Sequence, residues 1–322
     1  MNKKILLFGI AALAPALPLP ASASCGSAFC TANTSWDVQG AWQDPGWRLD
    51  LRYEYIDQDQ PMAGSRKVGV GEIPQHHDEV RTVNRNLLST LDYTIDADWG
   101  VTASLPVSQR RHDHIHNHMG QQLPESWDFT AVGDARVLAR RRLGTFEDAQ
   151  SHTLGTFGTS FGLKLPTGRT DVRNAAGDLA ERTLQPGTGT TDLVAGLYYS
   201  ATLPLKDLSW FVSGQVQEPL NSHQDFRPGT KLFADAGLRY AATEKLGLLA
   251  QLNAQARGRD SGAQAEPEDS GGRSLFFSPG VSYALTPSLQ AYGFVQLPIY
   301  QYVNGVQLTA ARAYAVGASV RF

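Results

Sequence analysis

The sequence predicts an all-β protein: a closed, up-and-down antiparallel β-barrel of about twelve strands that spans a bacterial outer membrane. Three observations predict this fold. Apolar and polar residues alternate along many segments. The connections between these segments alternate between short and long. The chain of 322 residues begins with an export signal.

The first 23 residues have the features of a secretory signal peptide. Two lysines precede an apolar run from Ile5 to Leu17, and Ala21-Ser22-Ala23 forms a cleavage signal of small residues. The run is too short, and too interrupted by proline, to be a membrane-spanning helix. No later segment approaches ~18 uninterrupted apolar residues. We therefore expect residues 1–23 to be removed and the remainder to be exported.

Charge and cysteine content narrow the compartment and the partners. The formal net charge is −3, and it falls to −5 once the two leader lysines are removed. This mild charge gives no indication of a nucleic-acid partner. The two cysteines, Cys25 and Cys30, would enter an oxidising compartment, so we expect a small disulfide loop between them. A redox or metal role for the pair, or lipidation of Cys25, is the alternative.

The segment WRLDLRYEYID shows the clearest two-residue periodicity. Leu49, Leu51 and Tyr53 fall on one face, and charged residues fall on the other. In a membrane barrel the apolar face meets lipid and the charged face lines the lumen. Eleven further segments repeat the pattern, which gives an even number of strands. They are LLSTLDYTI, WGVTASLPV, DARVLARRRL, TFGTSFGLKLPTG, TDLVAGLYYSATL, SWFVSGQVQ, KLFADAGLRY, LGLLAQLNAQAR, SLFFSPGVSYAL, LQAYGFVQLP and ARAYAVGASVRF.

The connections between these segments predict which end of the barrel faces which side. Short connections alternate with five long ones, as expected for periplasmic turns and extracellular loops. With an even strand count, both termini fall on the periplasmic side. The terminal segment YAVGASVRF ends on an aromatic residue, which is typical of the closing strand read by the barrel assembly machinery. The long connections are Asp59 to Asp78, Ser108 to Gly133, Thr167 to Gly189, Glu218 to Thr230 and Gly258 to Gly272.

The inward faces of the predicted barrel, residues 47–322, carry charges of both signs. Because charges inside a membrane usually pair with one another, a narrow open channel and a lumen closed by paired charges both fit. The segment that precedes the barrel, residues 24–46, includes Trp36 and Trp42, and Trp47 follows directly after it. An exposed tail would not need three tryptophans, so we expect this segment to plug the lumen or to pack at the periplasmic mouth. The predicted lumen charges are Arg52, Glu54, Arg136, Arg140, Lys164, Asp192, Asp235 and Arg239.

Three further segments carry a resemblance to a known family: FGLKLPTGRTD, GTGTTDLVAGLYYS and FVQLPIYQYVNGVQLTA. Together with the terminal strand they resemble outer-membrane barrels grouped with the phenol-degradation meta-pathway family, over roughly Arg48 to Phe322. The resemblance implies a membrane barrel and the passage of small molecules. It transfers no substrate and no catalytic residue. The histidines and the cysteine pair are not part of the family's general pattern.

The segment HDHIHNH places four of the eight histidines, His112, His114, His116 and His118, on alternate positions. On an extended strand these side chains share one face, and His76 and His77 lie in the preceding long connection. Neutral imidazole suits transition ions, so we predict an extracellular metal site with zinc or copper as the candidate ion. The alternatives are a packed hydrogen-bonded loop, a solvated loop and a pH-sensitive loop. We do not expect the stretch to be buried, because it lies in a long connection.

These observations favour a channel or transporter for a small solute, located in the outer membrane of a Gram-negative cell. The expected partners are outer-membrane lipid, the barrel assembly machinery and the solute, while any periplasmic partner is not indicated. The alternative is a structural or binding barrel that does not transport. A hydrolase is less favoured, since the sequence adjacency of histidines and aspartates does not establish a catalytic geometry, and we expect no enzymatic activity.

Overall fold

The computed structural model describes residues 28–39, 44–74, 77–150, 152–203 and 207–322. Within these ranges the backbone forms thirteen β-strands, and no helix has the length and apolarity to cross a bilayer. The expected signal peptide lies outside the described residues, so its cleavage stays a prediction.

The strands pair antiparallel with their neighbours along a single sheet. Eleven of them form the wall, and two short or projecting ones, β2 and β5, lie off it. In chain order they are β1 Gly46–Gly64, β2 Arg66–Lys67, β3 His77–Thr94, β4 Trp99–His118, β5 Gln121–Val132, β6 Arg136–Asp148, β7 Thr153–Lys164, β8 Asp192–Leu203, β9 Leu208–Pro219, β10 Lys231–Ala241, β11 Leu246–Arg257, β12 Gly272–Ala284 and β13 Leu289–Arg321.

The last strand, β13, folds back on itself and closes the barrel. Its first arm pairs with β12 and its second arm pairs with β1, both antiparallel. The chain reverses at Gly305, whose φ of 55° lies in the left-handed region that glycine tolerates. Near the ends of the two arms, the amide of Arg321 donates a 2.8 Å hydrogen bond to the carbonyl of Ser288. The wall therefore contains twelve strand passages, and the predicted closed antiparallel barrel with twelve strands is confirmed.

The wall is apolar outside and polar inside. On β1 the side chains of Arg48, Asp50 and Glu54 are buried, whereas Leu51 and Tyr53 on the opposite face are exposed. Such an arrangement would be unstable in water, because the apolar face would remain hydrated. It suits a barrel whose outer face meets hydrocarbon.

The apolar outer band ends at the same height on three neighbouring strands. On β4 the outward residues are apolar up to Val107, and the next ones are Gln109 and Arg111. On β1 and β3 the corresponding changes fall after Tyr55 and Leu87. Residues beyond these points lie outside the membrane-spanning part of the wall.

The start of β1 and the C-terminal residue Phe322 lie at one end of the barrel, together with the short turns. The opposite end carries the long connections, and we call it the loop end. Two predictions about its connections are wrong. β1 continues to Gly64 and β3 begins at His77, and Ser108 to Gly133 is mostly strand. β4 runs on to His118 and pairs with β5 over its whole upper half, which forms a projecting hairpin.

Candidate functional site

Residues 28–39 lie inside the barrel, and we call them the inner segment. Trp36 is 1% exposed, and its indole nitrogen donates a 3.1 Å hydrogen bond to Ser319 Oγ on the wall. The Trp36 ring meets Tyr292 edge-on at 5.2 Å between centroids. Cys30 is buried with it and donates its amide to Glu54 at 3.1 Å. Cys25 lies outside the described residues, so the disulfide stays a prediction.

Asn33 anchors the middle of the inner segment through its backbone and its side chain. Its amide donates to Gln251 Oε1 at 2.8 Å, and Gln251 Nε2 donates to the carbonyl of Asn33 at 2.9 Å. Its side-chain amide donates to Asp235 Oδ2 at 3.2 Å. The wall therefore binds this residue as it would bind the polar groups of a peptide ligand.

Asp37 lies near the C-terminal end of the inner segment. Its carboxylate is buried between two cations of the wall. Its carboxylate lies 2.5 Å from Arg140 Nε and 3.3 Å from Arg48 Nη2. Arg48 also lies 3.5 Å from Asp92 of β3. All four side chains are nearly buried, so each charge depends on its partners for compensation.

The predicted lumen charges lie on the inward faces of their strands. Arg52 pairs with Glu54 at 2.8 Å and also donates to Thr34 Oγ1 of the inner segment at 2.9 Å. Lys164 pairs with Asp192 at 3.1 Å and with Asp134 at 3.0 Å.

The remaining lumen charges have other partners. Arg136 donates to Gln215 at 2.8 Å, and Arg140 binds Asp37. Asp235 accepts from Asn33. Arg239 lies on the same face of β10 as Asp235. Sequence reasoning missed the partners Asp37, Arg48, Asp92 and Asp134. Which charges meet depends on the register between neighbouring strands and on the path of the inner segment through the lumen.

The histidines of β4 lie on the inward face of the projecting hairpin, above the apolar band. His112 is fully buried and His114 is 2% exposed, whereas His118 is exposed. The expectation that the stretch escapes burial is wrong, because the strand continues upward and a long connection covers it. That connection, residues 165–191 between β7 and β8, is here called the cap segment.

The cap segment packs against the inward face of the hairpin. Leu184 and Ala180 of the cap segment form an apolar cluster with Trp127 of β5. The Trp127 indole donates to the carbonyl of Asp178 at 3.1 Å, and Arg110 donates to the carbonyl of Leu184. These contacts exclude water from the histidines below.

Three side chains from two strands converge beneath the cap segment: Glu79 of β3 with His112 and His114 of β4. One ligand atom from each lies within 4.8 Å of the other two. His112 Nε2 is 3.2 Å from His114 Nδ1 and 3.7 Å from Glu79 Oε2. Glu181 of the cap segment lies 3.4 Å from His114 Nδ1. We call Glu79, His112 and His114 the buried triad.

The other predicted ligands lie around this triad. His77 stacks on His114 at 4.7 Å between ring centroids and contacts His116 at 3.1 Å between nitrogens. His118 lies at the exposed end of the strand, and His76 lies outside the described residues. Sequence reasoning missed Glu79, Glu181 and also Glu125 of β5, whose Oε2 lies 3.0 Å from His114 Nε2. Only the pairing of β3 with β4, which sets Glu79 opposite His114, brings the first of these into the site.

Burial decides the charge state of the two buried imidazoles. It lowers the pKa of His112 well below its ordinary range, and the neighbouring His114, Arg110 and His77 lower it further. Burial also lowers the pKa of His114, while the hydrogen bond to Glu125 acts in the opposite direction. Burial therefore favours the neutral form of both rings.

The C-terminal half of the chain, from the connection between β6 and β7 to the closing strand, matches a known family. The sequence profile described as "Putative MetA-pathway of phenol degradation" matches residues 152–316, just over half of the chain. The chain belongs to this family. It is an outer-membrane β-barrel, as the resemblance predicted. No curated protein matches the chain.

Solved structures of other proteins align with this family member at low sequence identity. An outer membrane channel from Pseudomonas putida F1 aligns with 90% of this chain and 99% of its own, with a TM-score of 0.65 and 13% identity. A FadL homologue from Pseudomonas aeruginosa aligns with 93% of this chain and 96% of its own, with a TM-score of 0.41 and 12% identity. The first match shows that the fold is that of an outer-membrane barrel.

Proposed function

We propose that this protein is an outer-membrane channel for a small solute, and that the inner segment closes it. The observation that carries the proposal is the filling of the lumen. A barrel built only as a scaffold would fill its interior with the side chains of its own wall. Here the wall directs polar groups at a separate length of chain, so displacement of that chain would leave a polar, water-compatible passage.

The contacts of Thr31 and Asn33 support release of the part of the inner segment that precedes Asp37, while the ion pairs of Asp37 anchor the segment to the wall. Asn33 is held by hydrogen bonds to Gln251 and Asp235. The backbone amide of Thr31 donates to Gln296 Oε1, and Gln296 Nε2 donates to the hydroxyl of Thr31. Water can replace each of these bonds, so their net contribution is about 1 kcal/mol apiece. Trp36 is the main apolar contact, which makes it the residue whose removal should loosen the segment most.

The alternation of short and long connections supports the orientation. Outer-membrane barrels place short turns in the periplasm and long loops outside the cell. We infer that the C-terminus, the start of β1 and the Asp37 end of the inner segment face the periplasm. The loop end and the cap segment then face the exterior.

Liposome swelling tests this function. Proteoliposomes with the mature chain are placed in isotonic solutions of a solute panel that includes simple phenols, to which the family description points. We expect slow uptake by the wild type and faster uptake by the Asn33→Ala, Trp36→Ala double variant. Trp210→Ala, which removes a tryptophan from the outer face, is the matched control and should behave as the wild type.

Two results would contradict the proposal. Equal impermeability of all three proteins to every solute would identify a closed structural barrel. Turnover of fluorogenic ester or peptide substrates by the purified barrel would instead identify an outer-membrane hydrolase. The absence of turnover together with segment-dependent uptake is the result that we expect.

A further inference from the structure

We propose that Glu79, His112 and His114 form a buried binding site for a divalent transition ion at the loop end of the barrel. The site is independent of the channel function. It differs from the six-histidine site suggested by the sequence, because it uses two of those residues and a carboxylate from the neighbouring strand.

The outer nitrogens of the two rings are already occupied. His114 Nε2 lies 3.0 Å from Glu125 Oε2, and His112 Nδ1 lies 2.8 Å from Thr82 Oγ1. An ionised carboxylate only accepts hydrogen bonds, so the proton of neutral His114 is on Nε2. Its Nδ1 lone pair then points at His112 Nε2. Partners of this kind, which fix the tautomer from outside, are the usual second shell of metal-bound histidine.

The spacing of the inner atoms matches a coordination sphere. Zinc binds histidine nitrogen at about 2.0–2.1 Å and carboxylate oxygen at about 2.0–2.2 Å, so neighbouring ligand atoms in a tetrahedron lie roughly 3.3 Å apart. The observed separations are 3.2 Å from His112 to His114 and 3.7 Å from His112 to Glu79. Small side-chain adjustments would bring all three atoms to bonding distance of one ion.

The surroundings supply charge balance and exclude water. Glu181 Oε1 lies 3.4 Å from His114 Nδ1 and can act as a fourth ligand. Trp127 packs on both rings, with 4.9 Å between its centroid and that of His114. A cation bound between the two imidazoles would lie beside the carboxyl groups of Glu79 and Glu181, which can supply compensating charge. Two imidazoles with a carboxylate suit zinc and its first-row neighbours.

The same geometry could serve as a hydrogen-bond chain from Thr82 through both histidines to Glu125. In that chain His112 Nε2 donates a proton to His114 Nδ1, and no ion is needed. Metal binding and a hydrogen-bond chain make different predictions for substitution of Glu79, since only the metal site includes this side chain.

The test is a titration of the purified, metal-stripped barrel with Zn²⁺, and with Co²⁺, whose visible absorption reports coordination geometry. We expect one ion per chain and a tetrahedral Co²⁺ spectrum. His112→Ala and His114→Ala should abolish binding. Glu79→Gln keeps the size and polarity of the side chain, and it should weaken binding by about 100-fold.

The matched control is His118→Ala, which removes an exposed histidine from the same strand and should bind as the wild type does. Heat-modifiable gel migration of every variant separates lost binding from lost folding. No stoichiometric binding by the folded wild type would overturn the proposal and leave the hydrogen-bond chain. Equal binding by wild type and a folded His112→Ala, His114→Ala double variant would also overturn it, because the ion would then be bound elsewhere.

Discussion

The carboxylate of Asp37, in the inner segment, lies 2.5 Å from the guanidinium Nε of Arg140 on β6. The same carboxylate contacts Arg48 of β1 at 3.3 Å. Two cations of the wall therefore share an anion that comes from the inner segment, and Asp92 is the only anion of the wall that the described contacts place beside Arg48. This relationship couples the position of the inner segment to the electrostatics of the lumen.

Asp37→Asn should destabilise the barrel strongly, because it leaves two buried guanidinium groups with one fewer anion. Breaking a buried pair typically costs about 3–5 kcal/mol. The measurement is the urea midpoint of unfolding in detergent. Asp44→Asn is the control, since it breaks a salt bridge to Arg321 in which Asp44 is 80% exposed and should change stability little. Similar effects of the two substitutions would contradict the assigned role of Asp37.

Gly305 should resist substitution, because its left-handed φ permits the reversal within β13. A Cβ at this position would lie 1.9 Å from Asp269 Oδ1. Gly305→Val therefore combines backbone strain with a steric clash, and we expect it to cost more than about 2 kcal/mol and to lower the yield of heat-modifiable barrel. Gly293→Ala, whose Cβ would meet its nearest atom at an ordinary 3.7 Å, should fold normally. Normal folding of Gly305→Val would show that the closing hairpin is not required.

The upper ends of β1 and β3 should loosen in acid. Arg81 donates two hydrogen bonds to Asp57 above the apolar band, and these lower the pKa of the Asp57 carboxyl. A depressed pKa contributes stability above the ordinary value for aspartate, and that stability is lost as pH falls through the folded value. The pair is partly exposed, so the effect should be small. The hydrogen-exchange protection factors of the two strand ends, corrected for the intrinsic pH dependence of exchange, should fall below about pH 4, and Asp57→Asn should remove this dependence.

Zinc should hold the cap segment in place. The cap segment contributes Glu181 beside His114, and it covers the buried triad through Leu184. An ion bound there would oppose opening of residues 165–191 by mass action. Limited proteolysis should show slower cleavage of the cap segment with zinc than without it. The protection should vanish in His114→Ala and persist in His118→Ala. Equal cleavage rates with and without zinc would show that the ion does not bind across this contact.

The barrel fold could be predicted from the alternation of apolar and polar residues along the sequence. Alternation such as that from Arg48 to Tyr55 fixes which face meets lipid, because a shift of one residue would reverse every side chain. The even strand count and the closing strand followed from the same periodicity. Where the strands ended was harder to predict, because the outer residues of β4 become polar above Val107. That change marks the edge of the membrane and not the end of the strand.

The sites depended on contacts that local pattern does not contain. The spacing of His112 and His114 predicted a shared face, and that face exists. Glu79 joined them only through the register between β3 and β4, which includes a bulge between Glu79 and Arg81. Asp37 met Arg140 across more than one hundred residues of sequence. Three tryptophans near the start of the chain predicted packing, but they did not identify Ser319 and Tyr292 as the partners of Trp36.

Single-channel recording in planar bilayers tests the central claim most directly. The claim is that the inner segment closes a passage through the lumen. We predict that the mature wild-type chain shows rare or small openings. The Asn33→Ala, Trp36→Ala variant should show a clear rise in open probability or conductance, while Trp210→Ala should match the wild type. Folded variant barrels that stay as silent as the wild type would contradict the claim, since the passage would then be closed by the wall itself.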